Sequence, residues 1–234
     1  MHYFALLLTP EDHRYADQDE PSAEIAAYQA FHAGAAAAIR AGDALLPSTT
    51  GARITGGPDK PTITDGPFAE GAEVAGGYYV FEAENLDEAL QLAGQIPAAK
   101  YGAIEIWPMV EWNQPETPLD RNHWLALLLE PADTDVAPGT PEWDACTVAH
   151  REFGTAAADR IKGGAALHPP STATTVQVRD GGVTLTDGPY VEGAEVASGF
   201  YLLSATDRDE AVKIASMIPA TTVQVRQLAG VSGL

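Results

Sequence analysis

The sequence holds a single cysteine, Cys146, among 234 residues. No intramolecular disulfide can form, which fits a reducing compartment. Basic residues are also scarce. Lys and Arg number 13 against 33 Asp and Glu, and the formal net charge is -20. That field repels a phosphate backbone or an anionic lipid surface, so neither nucleic acid nor a membrane is expected as a partner. No apolar run approaches the roughly 20 residues that a spanning helix needs. The opening stretch Met1 to Leu8 is apolar, but it lacks a basic lead and stops at Thr9-Pro10. It does not read as a signal peptide, and a cytoplasmic protein is the expectation. HExxH, CxxC and close histidine pairs are absent, as are GxGxxG and P-loop sequences. Neither a dedicated metal site nor a cofactor is therefore expected.

What the chain does contain is a repeat. Thr64 to Val80 reads TDGPFAEGAEVAGGYYV and Thr186 to Leu202 reads TDGPYVEGAEVASGFYL, identical at 12 of 17 positions at an offset of 122. The same offset pairs Ile39 to Pro47 (IRAGDALLP) with Ile161 to Pro169 (IKGGAALHP), and Ile96-Pro97-Ala98 with Ile218-Pro219-Ala220. Such agreement marks a duplication. Glu111 to Asn122 is polar and carries Pro115 and Pro118, so it reads as a linker. The expected domains are 1–110 and 123–234, joined by 111–122. Hydrophobic residues make up 45% of the chain, enough to fill a core in each.

Each copy shows one order of elements. An apolar strand opens it (Tyr3 to Leu8; Trp124 to Leu129). A helix follows, capped at Ser22 and propagated through Ala41 in the first copy, and opened by Pro141 and run to about Lys162 in the second. Short extended pieces come next (Ala52 to Thr55, Thr62 to Thr64; Thr175 to Arg179, Val183 to Thr186), then a strand rich in aromatic and aliphatic residues (Tyr78 to Ala83; Phe200 to Ser204). A second helix starts near Asp87 or Asp209, and a last strand closes the unit (Ala103 to Trp107; Thr222 to Arg226). This is an α+β chain of two βαβ-βαβ units, the ferredoxin-like arrangement. One such unit leaves a sheet face bare, and two fused units can cover each other.

The stretch Thr64-Asp65-Gly66-Pro67-Phe68-Ala69-Glu70, followed by Glu73, Gly76, Gly77 and Tyr78, resembles the DGPF-motif branch of the YCII-related family. The second copy agrees through Asp187 to Glu195, Gly199 and Arg226, so the likeness covers nearly the whole chain twice. The resemblance implies two ferredoxin-like repeats paired as an intramolecular dimeric α+β barrel, in a monomer with pseudo-twofold symmetry or a homodimer. Some relatives look like enzymes that use a His–Asp pair in a small cleft. Others serve pathways of aromatic or polyketide-like compounds, and DGPF members often accompany alternative sigma factors. The chain departs from the pattern in several places. Ala72 and Ala194 stand where Lys is usual. Trp107 replaces an Arg that Arg226 keeps. Ile96 and Ile218 occupy the place of an Asp before Pro, so the His–Asp mechanism does not carry over directly.

Several residues can carry chemistry. His32 lies on the first helix of copy one and His150 on that of copy two, one turn earlier and opposite Tyr28. Histidine is the natural proton shuttle near neutral pH, although a helical histidine is usually just half-exposed. Asp65 and Asp187 head the motif, where a rigid turn is the simpler account. Glu73 and Glu195, with Glu70 and Glu192, are carboxylate pairs that can push each other's pKa apart, against the plain alternative of a solvated acidic loop. Tyr28, Tyr79, Trp107, His168 and Arg226 are expected at a ligand, with core packing as the default for the strand aromatics. Cys146 sits four residues before His150 on one helical face, where a buried structural thiol is the safer reading.

The expected function is a cofactor-independent enzyme that moves protons on a small apolar or aromatic metabolite, as isomerase, cyclase or lyase. The alternative is a non-catalytic ligand-binding or protein-interaction module, in a regulatory setting beside an alternative sigma factor. An apolar cavity with His32 or His150 on its wall favours the enzyme. Filled cavities with both histidines in solvent favour the module.

Overall fold

The computed structural model describes residues 1–11, 21–67, 73–134, 136–190 and 195–231, with backbone only at Pro21 and Ser22. The cap expected at Ser22 and the carboxylates Glu70 and Glu192 lie outside the described residues. The first half runs β1 (His2–Thr9), α1 (Pro21–Ala35), β2 (Ile39–Ala44), β3 (Ala52–Thr55), β4 (Thr62–Asp65), β5 (Val74–Glu82), α2 (Leu86–Ala93) and β6 (Ala103–Asn113). The second half repeats that order as β7 (His123–Pro131), α3 (Pro141–Ala156), β8 (Ile161–Leu167), β9 (Thr174–Arg179), β10 (Gly182–Asp187), β11 (Glu195–Ser204), α4 (Arg208–Ala215) and β12 (Thr222–Gln227). The protein is α+β, with helices packed on a mostly antiparallel sheet.

Local chemistry explains the helix starts. Thr140 accepts a hydrogen bond from the Trp143 amide and Pro141 takes the first helical position of α3. Asn85 and Asp207 cap α2 and α4, accepting from the amides of Glu88 and Glu210. Glu88 and Glu210 reach back to the amides of Glu84 and Thr206, the residues just before the caps, and so tie down the entry to each helix.

The first helices end earlier than the sequence suggested, at Ala35 rather than Ala41 and at Ala156 rather than Lys162. The alanine-rich continuation becomes β2 and β8. Helix propensity per residue is a weak preference that tertiary pairing overrides. Here β2 pairs with β5, setting Gly42 opposite Tyr79. A Cβ at Gly42 would stand 2.4 Å from the Tyr79 ring, so only glycine lets these strands approach.

Within the first half the strands lie in the order β2-β5-β1-β6, and within the second β8-β11-β7-β12, every neighbouring pair antiparallel. The halves join where Met109–Asn113 of β6 pairs with Leu167–Gly164 of β8. On the opposite side Leu45 bridges Leu228, and the Leu46 amide donates to the Gln227 carbonyl. The strand β6 thus runs through Asn113, into the stretch read as linker.

The short hairpins are exchanged. The β3–β4 hairpin of the first half adds to the second half's sheet, with Ala52–Thr55 paired to Val225–Thr222 of β12. The β9–β10 hairpin of the second half adds to β6 of the first, through Thr174–Val176 and Ile106–Ile104. Burial follows this exchange. Ala52 and Ile54 are buried in the second half's helix-side core with Trp124, Leu203 and Val225. Val176 is buried in the first half's, with Tyr3, Phe81 and Ile104. A third core lies between the two sheets and draws on both halves. In it the Phe4 and Phe200 rings stack at 4.4 Å, alongside Leu6, Trp107, Leu125 and Leu127.

The motif glycine Gly66 has a packing cause, since a Cβ there would sit 2.0 Å from the Ser48 carbonyl oxygen. Its counterpart Gly188 has φ +87°, a conformation L side chains rarely adopt.

Candidate functional site

A cavity of about 850 Å³ opens in the second half between α3 and the strands β8 and β11. Its floor is mostly apolar, with Leu128, Leu167 and Val196, and Trp143 forms part of a wall. The first half contributes as well. The β3–β4 turn, Gly56 to Pro58, and Val110, Glu111 and Asn113 at the end of β6 both border it. The hairpin exchange therefore makes the cavity a joint product of the two copies.

His150 of α3 and Tyr201 of β11 meet on its wall, with Nδ1 3.0 Å from the phenol oxygen. Phe153, one turn along α3, packs its ring edge-on against Tyr201 at 5.0 Å and fixes the phenol. Burial lowers the pKa of His150 below its ordinary value and pushes Tyr201 up to about 12. Near pH 7 the imidazole is therefore neutral and the phenol protonated. If the phenol donates to Nδ1, then Nε2 carries the imidazole proton and is a donor. If Nδ1–H donates to the phenol oxygen, Nε2 is a bare acceptor. The pair can thus accept a proton and return one.

The first half builds the same contact by another route. His32 Nε2 lies 2.7 Å from the hydroxyl of Tyr79, the counterpart of Tyr201. The two histidines stand one helical turn apart in the aligned copies, Tyr28 facing His150 and His32 facing Gly154, yet both reach the equivalent tyrosine. Burial lowers the His32 pKa, and the nearby Asp43 carboxylate opposes that shift. Burial raises Tyr79, with Tyr28 and Asp43 acting in the same direction.

Asp43 escaped the sequence reading. It is 4% exposed and accepts from the amides of Ala44, Gly230 and Val231. The signal available was its place in IRAGDALLP, where the second copy has Ala165. Its burial depends on amides 187 and 188 residues away, which no local pattern exposes. Ser198, on the cavity's β11 side, was also missed.

The remaining expected residues scatter. His168 borders the cavity with His150. Cys146 borders it too and is exposed, so it is not the buried thiol expected. Asp65 forms an ion pair with Arg208 and is 76% exposed, and Asp187 is exposed at the end of β10. Glu195 forms an ion pair with Arg53 of the exchanged hairpin and accepts from the Thr222 hydroxyl at 2.7 Å. Glu73 has a pKa raised by burial, which Arg179 and a hydrogen bond from Tyr190 oppose. The cations missing from the motif are thus supplied by the other copy. Trp107 is fully buried and donates from Nε1 to Glu105, and Arg226 is 2% exposed and donates to the Leu46 carbonyl. Tyr28 is half-buried and touches the first half's core with Tyr101. Among the described residues no cluster of three His, Cys, Asp or Glu is placed to hold a metal ion, and no helix is long and apolar enough to cross a membrane.

Comparison with known proteins gives two findings. The model of the YCII-related domain matches residues 3–113 and again residues 127–228. The uncharacterized protein R00369 of Rhizobium meliloti (strain 1021) is 33% identical over 76 residues, which span 32% of this chain and 61% of that protein.

Proposed function

The chain belongs to the YCII-related family, and we propose that it is an enzyme whose second half transfers protons on a small apolar or aromatic metabolite without a cofactor. The observation that carries this reading is the His150–Tyr201 contact on the wall of a largely apolar cavity. A neutral imidazole hydrogen-bonded to a protonated phenol suits an isomerase, cyclase or lyase, where one proton leaves and another returns. His168 is a second histidine at the cavity. Expulsion of water from an apolar site strengthens each such interaction.

The strand order supports a ferredoxin-like reading of each half. The β6–β8 junction and the Leu45–Leu228 bridge support closure into an intramolecular α+β barrel. In that arrangement the monomer already carries pseudo-twofold symmetry.

The test is a thermal-shift screen of aromatic and polyketide-like metabolites, followed by turnover assays on the compounds that bind. His150→Gln should bind such a compound but lower kcat by about 10²-fold or more, the usual size of a lost general acid–base group. Unchanged turnover in His150→Gln would remove the proposed role. Binding with no turnover of any bound compound would leave a ligand-binding module.

A further inference from the structure

Several of the differences between the two copies fall at the cavity. Tyr28, Asp43, Leu46 and Gly76 of the first half correspond to His150, Ala165, His168 and Ser198 of the second. All four second-half residues border the cavity. Ser198 occupies a bulge. The register of β11 against β7 steps from Ala197 to Gly199, leaving Ser198 outside the ladder. Bulges re-aim a residue and cluster beside functional sites. The first half has the same bulge at Gly76, between Ala75 and Gly77. There a Cβ would stand 2.5 Å from the Thr9 hydroxyl, so a side chain would have to displace Thr9. In the second half Glu130 takes the place of Thr9, and its carboxylate is held by the amide and hydroxyl of Thr221. A side chain at 198 is then tolerated. Among the described residues the Ser198 hydroxyl has no protein partner, and it is half-buried at the cavity.

Charge is the second observation. Among the described residues at the cavity there is no Lys or Arg, and the formal charges are the carboxylates of Glu111 and Glu130. A carboxylate or phosphate ligand would lose its water there and meet no cation. The chain's net charge of -20 adds to the repulsion.

We propose that the cavity selects an uncharged ring compound bearing a hydroxyl or carbonyl group, and that Ser198 is the specificity-determining residue that hydrogen-bonds to that group. The proposal rests on the cavity being the binding site, and it holds whether or not chemistry follows. Ligand oxygen and Ser198 replace water for each other, while the apolar walls and Trp143 enclose the ring. Anions are disfavoured because no Lys or Arg among the described residues at the walls compensates them.

The experiment is equilibrium binding, read by tryptophan fluorescence, of three probes on one scaffold at pH 7: 2-naphthol, 2-naphthoate and naphthalene. 2-Naphthol should bind at least tenfold tighter than 2-naphthoate. Ser198→Ala should weaken 2-naphthol about fivefold and leave naphthalene unchanged, the size expected for one neutral hydrogen bond. Thr147→Lys, which adds a cation at the cavity, should reverse the preference towards 2-naphthoate. Equal or tighter binding of 2-naphthoate by the unaltered protein overturns the charge selection. An equal loss of 2-naphthol and naphthalene in Ser198→Ala, or no loss of either, overturns the role of Ser198. No binding of 2-naphthol overturns the ligand class. None of these readouts involves turnover, so they stand apart from the His150→Gln test.

Discussion

Ile54 offers a direct test of the exchanged hairpins. It belongs by sequence to the first half, yet it is 3% exposed in the second half's core beside Val223 and Val225. Ile54→Ala removes three carbons. At roughly 0.8 kcal/mol per buried carbon, plus the cavity left behind, the cost is about 3 kcal/mol. That is a large share of the roughly 5–15 kcal/mol that holds a domain folded. Ile63 is the internal control. It lies on the partner strand of the same hairpin but is 51% exposed, so Ile63→Ala should cost less than about 0.5 kcal/mol. Urea unfolding followed by circular dichroism measures both. Because each hairpin completes the other half's sheet, Ile54→Ala should shift one cooperative transition to lower urea. If Ile54→Ala costs no more than Ile63→Ala, the hairpin does not pack into the second half's core. If it splits the transition and leaves the first half's unfolding in place, the halves are not interlocked.

Two other predictions follow from the electrostatics and the surface. Glu105 is buried, accepts from Trp107 Nε1 and the Tyr190 amide, and has its pKa raised by burial. Its folded pKa exceeds its unfolded one, so its contribution to stability is full below the ordinary carboxylate pKa and is lost as pH rises through the folded value. Urea titrations across that window should show the loss in the natural protein and a flatter profile in Glu105→Gln. Cys146 is exposed and borders the cavity, so 2-naphthol should slow its modification by a thiol reagent, while a Ser198→Ala protein at the same probe concentration should be less protected.

Much of the architecture was legible because duplication doubles every local signal. The apolar openings at Tyr3 and Trp124, the helix starts near Asp87 and Asp209, and the motif turns each occur twice. Two strands were not legible. Ile39–Ala44 and Ile161–Leu167 extend alanine-rich helices in composition, and only pairing with β5 and β11 makes them strands. The exchange of hairpins was also hidden. Ala52 to Thr55 reads as extended, but its partner lies some 170 residues away on β12, and no local pattern specifies it. At the site, His32, His150 and Tyr79 were visible singly. Their convergence on equivalent tyrosines was not, since the histidines do not align.

The same geometry accounts for which positions diverged. Each half's sheet takes up the other's hairpin, so residues such as Ile54 and Val176 are buried in a partner core. At positions 165 and 198 the second half's cavity wall carries no such obligation. In the first, Asp43 is committed to the amides of Gly230 and Val231, and the Thr9 side chain crowds position 76. In the second, Ala165 replaces the carboxylate and Glu130 turns to Thr221. Fusion thus lets one half keep the fold's internal fastenings while the other half's walls accept new polar groups. A symmetric pair of identical chains has no such freedom, because every substitution there appears at both sites at once.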